Sequence, residues 1–316
     1  YVNNSFAGKC PYGYSNFYVD ITKYLNYNEP NALKVVVKNG VPSGRWYTGG
    51  GIYRDVNLWT GKDVYISHDK LRITTLSVND DMAVIEVCAQ LKNIIGHGLE
   101  AECLIEIKKD GQKTASDTQR VVFRSEQMQT VRVQIPIEHP KKWSPKQPAL
   151  YECHITTKFD DKICDEAVSN FGIRVLALDP VRGLQINGET VKLRGTCIHH
   201  DNGVIGAETF KEAEWYRCKR LKEAGFNAIR SAHHPMSRAM LDACDHIGML
   251  VMDELTDMWD KEKNTYDFSD IFEDEYNQWI NHMVEKDYNH PSVIIYSVGN
   301  EIQEAGTKQG AWINRM

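Results

Sequence analysis

The stretch FNAIRSAHHPMSRAMLDACDHIGMLVMD, residues 226–253, sets two short apolar runs on either side of one amphipathic segment. Phe226–Arg230 and Met249–Asp253 have the length and apolar content of buried strands, and residues 237 to 247 carry the 3.6-residue period of a helix. Strand, helix and strand in that order form a βα repeat, which packs as a parallel sheet covered by helices. The alternation continues on both sides. Downstream come a helix over 270 to 289 and a strand over Val293–Val298; upstream come a helix over 208 to 224 and a strand over 191 to 196. That first strand is entered through the hairpin signal Gln185-Ile-Asn-Gly-Glu-Thr-Val-Lys-Leu193.

Four βα strands are half of a (β/α)₈ barrel, which needs eight strands and roughly 250 residues. Residues 177–316 are therefore expected to be strands 1 to 4 of a TIM barrel. Strands 1 and 4 of a half barrel would present unpaired edges, which soluble proteins avoid, so a polypeptide continuing past Met316 is expected. Ahead of residue 177 the period changes. Phe17–Ile21, Ala32–Val37, Val84–Leu91, Leu104–Ile107, Thr130–Ile135 and Tyr151–Thr157 are short runs of strand-forming residues separated by turn residues. Such spacing means β-sandwiches. A seam falls near Gly61-Lys62-Asp63, after the aromatic run ending in Trp59. The fold class expected is multidomain, β and α/β: a truncated sandwich over 1–61, an immunoglobulin-like β-sandwich over 62–176, and the half barrel over 177–316.

A length of 316 residues fits two or three domains, each with its own core. No stretch approaches the unbroken apolar length of a membrane span, so no membrane partner is expected. The formal charge of −6 comes without a basic run, which argues against nucleic acid and for a neutral or weakly polar substrate. Eight cysteines lie scattered without a CxxC pair, so neither a zinc site nor a redox motif is signalled, and buried free thiols are expected. Seven Trp and fifteen Tyr could stack on sugar rings or fill cores, and composition does not choose between these. The first residues, Tyr1–Phe6, look like a strand entering a turn and lack the charged and apolar regions of a signal peptide. A true N-terminus upstream is expected, and the compartment, cytoplasmic or exported, stays open.

In a barrel of this kind chemistry sits at the C-terminal ends of the strands. Strand 1 runs into His199-His200-Asp201, strand 2 into Arg230 and His233-His234, strand 3 into Asp253-Glu254, and strand 4 into Asn300-Glu301. Glycosidic cleavage needs a proton donor to the leaving oxygen and a second carboxylate opposite it. Glu301 is the best donor: it follows the apolar Val293–Gly299, so its carboxyl is expected at a partly desolvated rim. A salt-bridged or helix-starting glutamate is the alternative. Adjacent histidines point to opposite sides of an extended chain, which makes a two-ligand metal site from either pair awkward; hydroxyl hydrogen bonding suits them better. Gly49-Gly-Gly51 has no following Gly-Lys-Ser/Thr and is expected to be a turn, not a phosphate loop.

Four segments carry a resemblance: Arg45-Trp-Tyr-Thr-Gly-Gly-Gly-Ile-Tyr-Arg-Asp-Val56, Trp143-Ser-Pro-Lys-Gln-Pro-Ala-Leu-Tyr151, Phe226-Asn-Ala-Ile-Arg-Ser-Ala-His-His-Pro235 and Asp287-Tyr-Asn-His-Pro-Ser-Val-Ile-Ile-Tyr-Ser-Val-Gly-Asn-Glu301. In order and spacing they resemble glycoside hydrolase family 2, of β-galactosidase/β-glucuronidase type, along the whole chain. The resemblance implies a sugar-binding jelly roll for 1–61, an immunoglobulin-like domain, and a catalytic barrel acting with retention. It implies Glu301 as acid/base, Asn300 as the holder of the sugar 2-hydroxyl, and His233 as a transition-state and sugar contact. It implies His199 as a binding-site histidine, Arg230 as a support for the nucleophile, and Asp201 as a receiver of hydroxyls of the nonreducing sugar. Glu254 joins these as a substrate-site residue.

Two departures limit the likeness. The family's nucleophilic glutamate lies on strand 7, so no residue of this chain takes that role. Some β-galactosidases carry a metal-binding Glu and His shortly after strand 3; here Met258 and Asp260 stand there, and no metal site is expected. No cofactor is expected either. The activity expected is hydrolysis of terminal β-D-galactosyl residues, favoured by Leu193-Arg-Gly-Thr-Cys-Ile-His-His-Asp-Asn-Gly203, with β-glucuronidase or β-mannosidase as alternatives. A noncatalytic carbohydrate-binding protein on the same scaffold is the alternative from another class. The partner expected is a β-linked saccharide; open barrel edges also make association with another chain, a second copy included, an expectation. The chain as given is expected to be inactive alone.

Overall fold

The computed structural model describes residues 1–43, 50–124 and 127–302. Seven strands, β1 (Val64–Val78), β2 (Met82–Asn93), β3 (Leu99–Lys109), β4 (Gln112–Phe123), β5 (Met128–Glu138), β6 (Tyr151–Phe159) and β7 (Lys162–Phe171), form two antiparallel sheets. Their orders are β1-β2-β5 and β4-β3-β6-β7, the two layers of an immunoglobulin-like sandwich. Side chains alternate across a strand. Ala83, Ile85, Val87, Ala89 and Leu91 of β2 thus share one core with Cys103, Ile105 and Ile107 of β3 and Cys153 and Ile155 of β6, all of them 0% exposed. Each large aliphatic side chain buried there contributes about 1.5–3 kcal/mol. Cys103 and Cys153 are free thiols, and burial pushes each up to about 12.

Two runs ahead of β1 differ from the sequence reading. The runs Phe17–Ile21 and Ala32–Val37 make no ladder among the described residues; isolated bridges join Val2 to Ser5 and to Leu33. A strand needs a neighbour for its backbone groups, and Val35, Val36 and Val37 are instead exposed. The N-terminal segment nonetheless reaches far across the chain. Tyr12, 1% exposed, stacks on Trp279 at 4.2 Å and donates its hydroxyl to the Leu255 carbonyl at 2.6 Å. Arg45–Gly49, part of one of the four family-like segments and of the glycine turn, lie outside the described residues.

Three short strands, β8 (Leu176–Asp179), β9 (Gly183–Ile186) and β10 (Glu189–Thr190), make an antiparallel sheet whose β9–β10 turn, Asn187-Gly188, has φ of 53° and 82°. Both positive values are what a two-residue hairpin turn requires. Then β11 (Gly195–Ile198), β12 (Ala228–Ser231), β13 (Leu250–Glu254) and β14 (Val293–Ser297) pair in parallel in that order. Helices α1 (Lys211–Glu223), α2 (Arg238–Ile247) and α3 (Ser269–Asp287) connect them. Helix α2 begins where the Ser237 hydroxyl accepts the Met240 N–H. It ends at Gly248, φ 76°, where a Cβ would lie 2.5 Å from the Pro145 carbonyl oxygen. Helix α3 buries Phe272, Tyr276, Trp279 and Met283, a stripe at helical spacing.

The sandwich and the barrel strands are fastened at the N-terminal end of the parallel sheet. Trp143, fully buried, packs with Ile186, Ala228 and Leu250 and donates its indole N–H to the Asp245 carbonyl at 2.9 Å. The Asp245 carboxylate in turn accepts His290 Nδ1 at 2.6 Å and the Ser292 N–H at 3.0 Å. Arg174 donates to the Val293 carbonyl at 2.8 Å. No described helix is long and apolar enough to cross a membrane.

Candidate active site

At the opposite end of the sheet the strands deliver polar side chains. Arg230 leaves β12 beside Cys197 of β11, and Glu254 ends β13 opposite Ser297 of β14. The Glu254 carboxylate is 0% exposed and is met from three sides. Arg230 donates Nε at 3.0 Å and Nη2 at 3.0 and 2.8 Å, His233 Nδ1 lies at 2.5 Å, and the Ser297 hydroxyl donates at 2.6 Å. Burial alone would raise this carboxyl, but hydrogen bonds from His233, Ser297 and Arg230 outweigh it and hold Glu254 below the usual carboxylate range. A buried carboxylate with so many donors is a fixed negative charge, and losing one partner of such a pair costs about 3–5 kcal/mol.

The same guanidinium reaches strand 4. Arg230 Nη2 donates to Asn300 Oδ1 at 2.9 Å, and Asn300 Nδ2 donates to Asp257 Oδ1 at 2.8 Å. A cation at one end and a carboxylate at the other leave the Asn300 amide a single sensible orientation. Lys263 completes the arrangement, donating to Asp257 Oδ1 at 3.0 Å, to the Asn300 carbonyl at 2.7 Å and to the Asp257 carbonyl. Arg230, His233, Glu254 and Asn300 are thus joined directly, and the His199 ring meets His233 edge-on at 5.8 Å between centroids. Burial, then the neighbouring His233, lowers the His199 pKa. Asp201 lies half-buried on the loop after β11, where its charge opposes that lowering.

Glu301 follows Asn300 at this end with φ 46°, a left-handed conformation uncommon for a side-chain-bearing residue. It is exposed, not partly desolvated as its apolar strand led us to expect. The reason is local: Val298, Gly299 and Asn300 carry the chain past the end of β14, and it is Asn300, at 6%, that turns inward.

The second histidine of each pair takes a different place. His200 Nδ1 and His234 Nε2 are 2.7 Å apart, Tyr14 stacks on His234 at 3.7 Å, and Arg54 donates to the Tyr14 and Pro235 carbonyls. Burial drives His200 down to about 4 and holds His234 well below the ordinary imidazole value, so both are neutral imidazoles sharing one hydrogen bond. Met258 is 4% exposed, and its sulfur faces the Thr256 hydroxyl at 3.6 Å. Among the described residues, the grouping with metal-compatible spacing is Asp242, Asp245 and His290, at the other end of the sheet, where the Asp245 oxygens already accept His290 and Ser292. Sequence reasoning missed Asp257, Lys263, Ser297, Tyr14 and Arg54. Asp257 had a signal, its place just beyond the strand 3 Asp-Glu, and Ser297 ends β14 opposite Glu254; the others depend on how loops and the N-terminal segment fold back.

Comparison with known proteins bears on the family and the fold. A family profile described as glycosyl hydrolases family 2, TIM barrel domain, matches residues 181–315, and one described as glycosyl hydrolases family 2 matches 64–174. The chain is 34% identical to β-galactosidase BoGH2A of Bacteroides ovatus, over 96% of this chain and 36% of that protein. It is 27% identical to a β-glucuronidase of Bacteroides fragilis, over 100% of this chain and 47% of that one. A solved family 2 member from Bacteroides cellulosilyticus superposes with a TM-score of 0.93 at 35% identity, covering 100% of this chain and 41% of that one. The chain therefore spans less than half the length of these relatives.

Proposed function

Because the chain belongs to glycoside hydrolase family 2, we propose that the protein is a retaining exo-β-glycosidase in which Glu301 is the general acid/base. The observation that carries this reading is the Arg230–Asn300–Asp257 chain, which fixes the residue immediately before Glu301 against the buried Glu254 carboxylate. In this reading Glu301 protonates the leaving oxygen, then deprotonates the water that releases the sugar. The partner carboxylate, about 5–5.5 Å away in retaining enzymes, belongs to a strand beyond this chain. Asn300 holds the sugar 2-hydroxyl, His233 and His199 contact the ring, and Asp201 receives hydroxyls. Arg230, anchored by Glu254, supports the nucleophile.

We propose a terminal β-D-galactosyl group as the sugar. The relatives' names divide between galactosidase and glucuronidase, and the charges favour the neutral sugar. Arg230 and Lys263 are each already paired with a carboxylate, and Asp201 would repel a uronate. The test is a panel of nitrophenyl β-glycosides offered to the complete gene product. Preference for the galactoside supports the proposal; preference for the glucuronide would overturn the sugar assignment and leave the reaction class standing.

A further inference from the structure

Lys263 lies nine residues beyond the end of β13, on the loop that leads to α3. Its ammonium has three donors, and the structure gives it three acceptors: the Asp257 carboxylate at 3.0 Å, the Asn300 carbonyl at 2.7 Å and the Asp257 carbonyl. Asp257 is 7% exposed and spends the same oxygen on the Asn300 side-chain amide at 2.8 Å. The pair therefore grips Asn300 twice, by its backbone oxygen and by its side chain. The first grip is on the peptide group that leads into Glu301.

We propose that Lys263 and Asp257 form a positioning clamp that aims Glu301 at the leaving oxygen. The clamp acts through Asn300, so it touches neither substrate nor reacting atoms. This inference rests on Glu301 being the acid/base. A carboxyl held in the wrong place cannot hand over its proton in step with bond cleavage, and a misplacement of about 1 Å costs about 100-fold. In kcat/KM, which reports the steps up to departure of the leaving group, the loss is confined to substrates that need the proton. An aryloxide of low basicity departs without one.

The experiment measures kcat/KM of the complete gene product against a series of aryl β-glycosides whose leaving groups span a range of basicity. Lys263→Met is expected to lose about 100-fold with the most basic phenol and less than about threefold with a dinitrophenol. Since Lys263→Met strands the buried Asp257 charge, the double variant Asp257→Asn, Lys263→Met removes both charges together and is expected to show the same steepened dependence. Glu301→Ala, run alongside, separates the two readings. If Glu301→Ala steepens the dependence and the folded double variant does not, the clamp is wrong while the acid/base assignment stands. If Glu301→Ala itself shows no steepening, the acid/base assignment falls and the clamp with it. An equal loss across all leaving groups would mean that Lys263 supports the fold or the sugar contact of Asn300 without aiming Glu301, and would also overturn the proposal.

Discussion

The two ends of the parallel sheet each contain a buried carboxylate held by an imidazole Nδ1, and we propose opposite uses for them. At the N-terminal end, Asp245 and His290 are 2.6 Å apart; at the C-terminal end, Glu254 and His233 are 2.5 Å apart. What differs is the company. Asp245 also receives a backbone N–H and sits beside Trp143, Ile186, Ala228 and Leu250, so its end is an apolar closure between sandwich and barrel. Glu254 receives a guanidinium and a hydroxyl, and that guanidinium passes on to an amide and a further carboxylate at the mouth of the strands. An acid–imidazole pair is therefore no mark of function by itself. The neighbours that surround it decide whether it fastens domains or arranges chemistry.

The contrast is tested most severely at Glu301. In the complete polypeptide, Glu301→Ala should lower hydrolysis of an unactivated β-glycoside by up to about 10⁴-fold, with an activated aryl glycoside suffering far less in its first step. Azide should restore turnover of the aryl glycoside and give a β-glycosyl azide. An α-azide would make Glu301 the nucleophile, and an unimpaired variant would remove it from the chemistry. The unfolding midpoint should hardly move, because Glu301 is exposed.

Trp143→Ala attacks the other end. It leaves a cavity in the closure and takes the donor from the Asp245 carbonyl, so stability by chemical denaturation should fall by about 3–5 kcal/mol. The dependence on leaving group should not change. If it does, the two ends are coupled and the division drawn above is too sharp.

The smallest effect expected is one of slope. Burial holds His200 near about 4 in the fold, whereas an unfolded histidine titrates near about 6.5. Between those values the unfolded chain binds more protons, so the contribution of His200 is fully present above about pH 6.5 and is lost as the pH falls to about 4. His200→Gln should flatten stability against pH in that window, by at most about 1.4 kcal/mol per pH unit. An unchanged slope would mean that the neutral pair of His200 and His234 does not feel the folded surroundings.

Much of this architecture was legible in the sequence because burial follows period. Strands β2, β3, β5 and β6 stood out by alternation, and the βα repeats by the change to helical spacing. Strands β1, β4 and β7 did not stand out, and all three lie at sheet edges. There one face carries polar residues such as Thr118, Arg120, Glu166 and Asn170, and only a few positions are buried. For β4 the turn Asp110-Gly111, φ 51° and 78°, was the better clue. In the candidate site, Arg230, His233, Glu254 and Asn300 could be proposed because each follows an apolar run. Lys263 could not, since its three acceptors come together only when the loop after β13 folds against Asn300.

The contact between Tyr12 and Leu255 joins residues 243 positions apart, and that distance is also an interval of time. At a synthesis rate of about 5–20 residues per second, Tyr12 emerges on the order of 10–50 s before the carbonyl it will donate to exists. The intervening sandwich, whose strands pair with one another, can fold during that wait. The aromatic segment carrying Tyr12 and Tyr14 cannot, because Trp279 and His234 are still unmade. Docking of the Tyr12 segment on the ribosome thus waits for a stretch of chain made well after it.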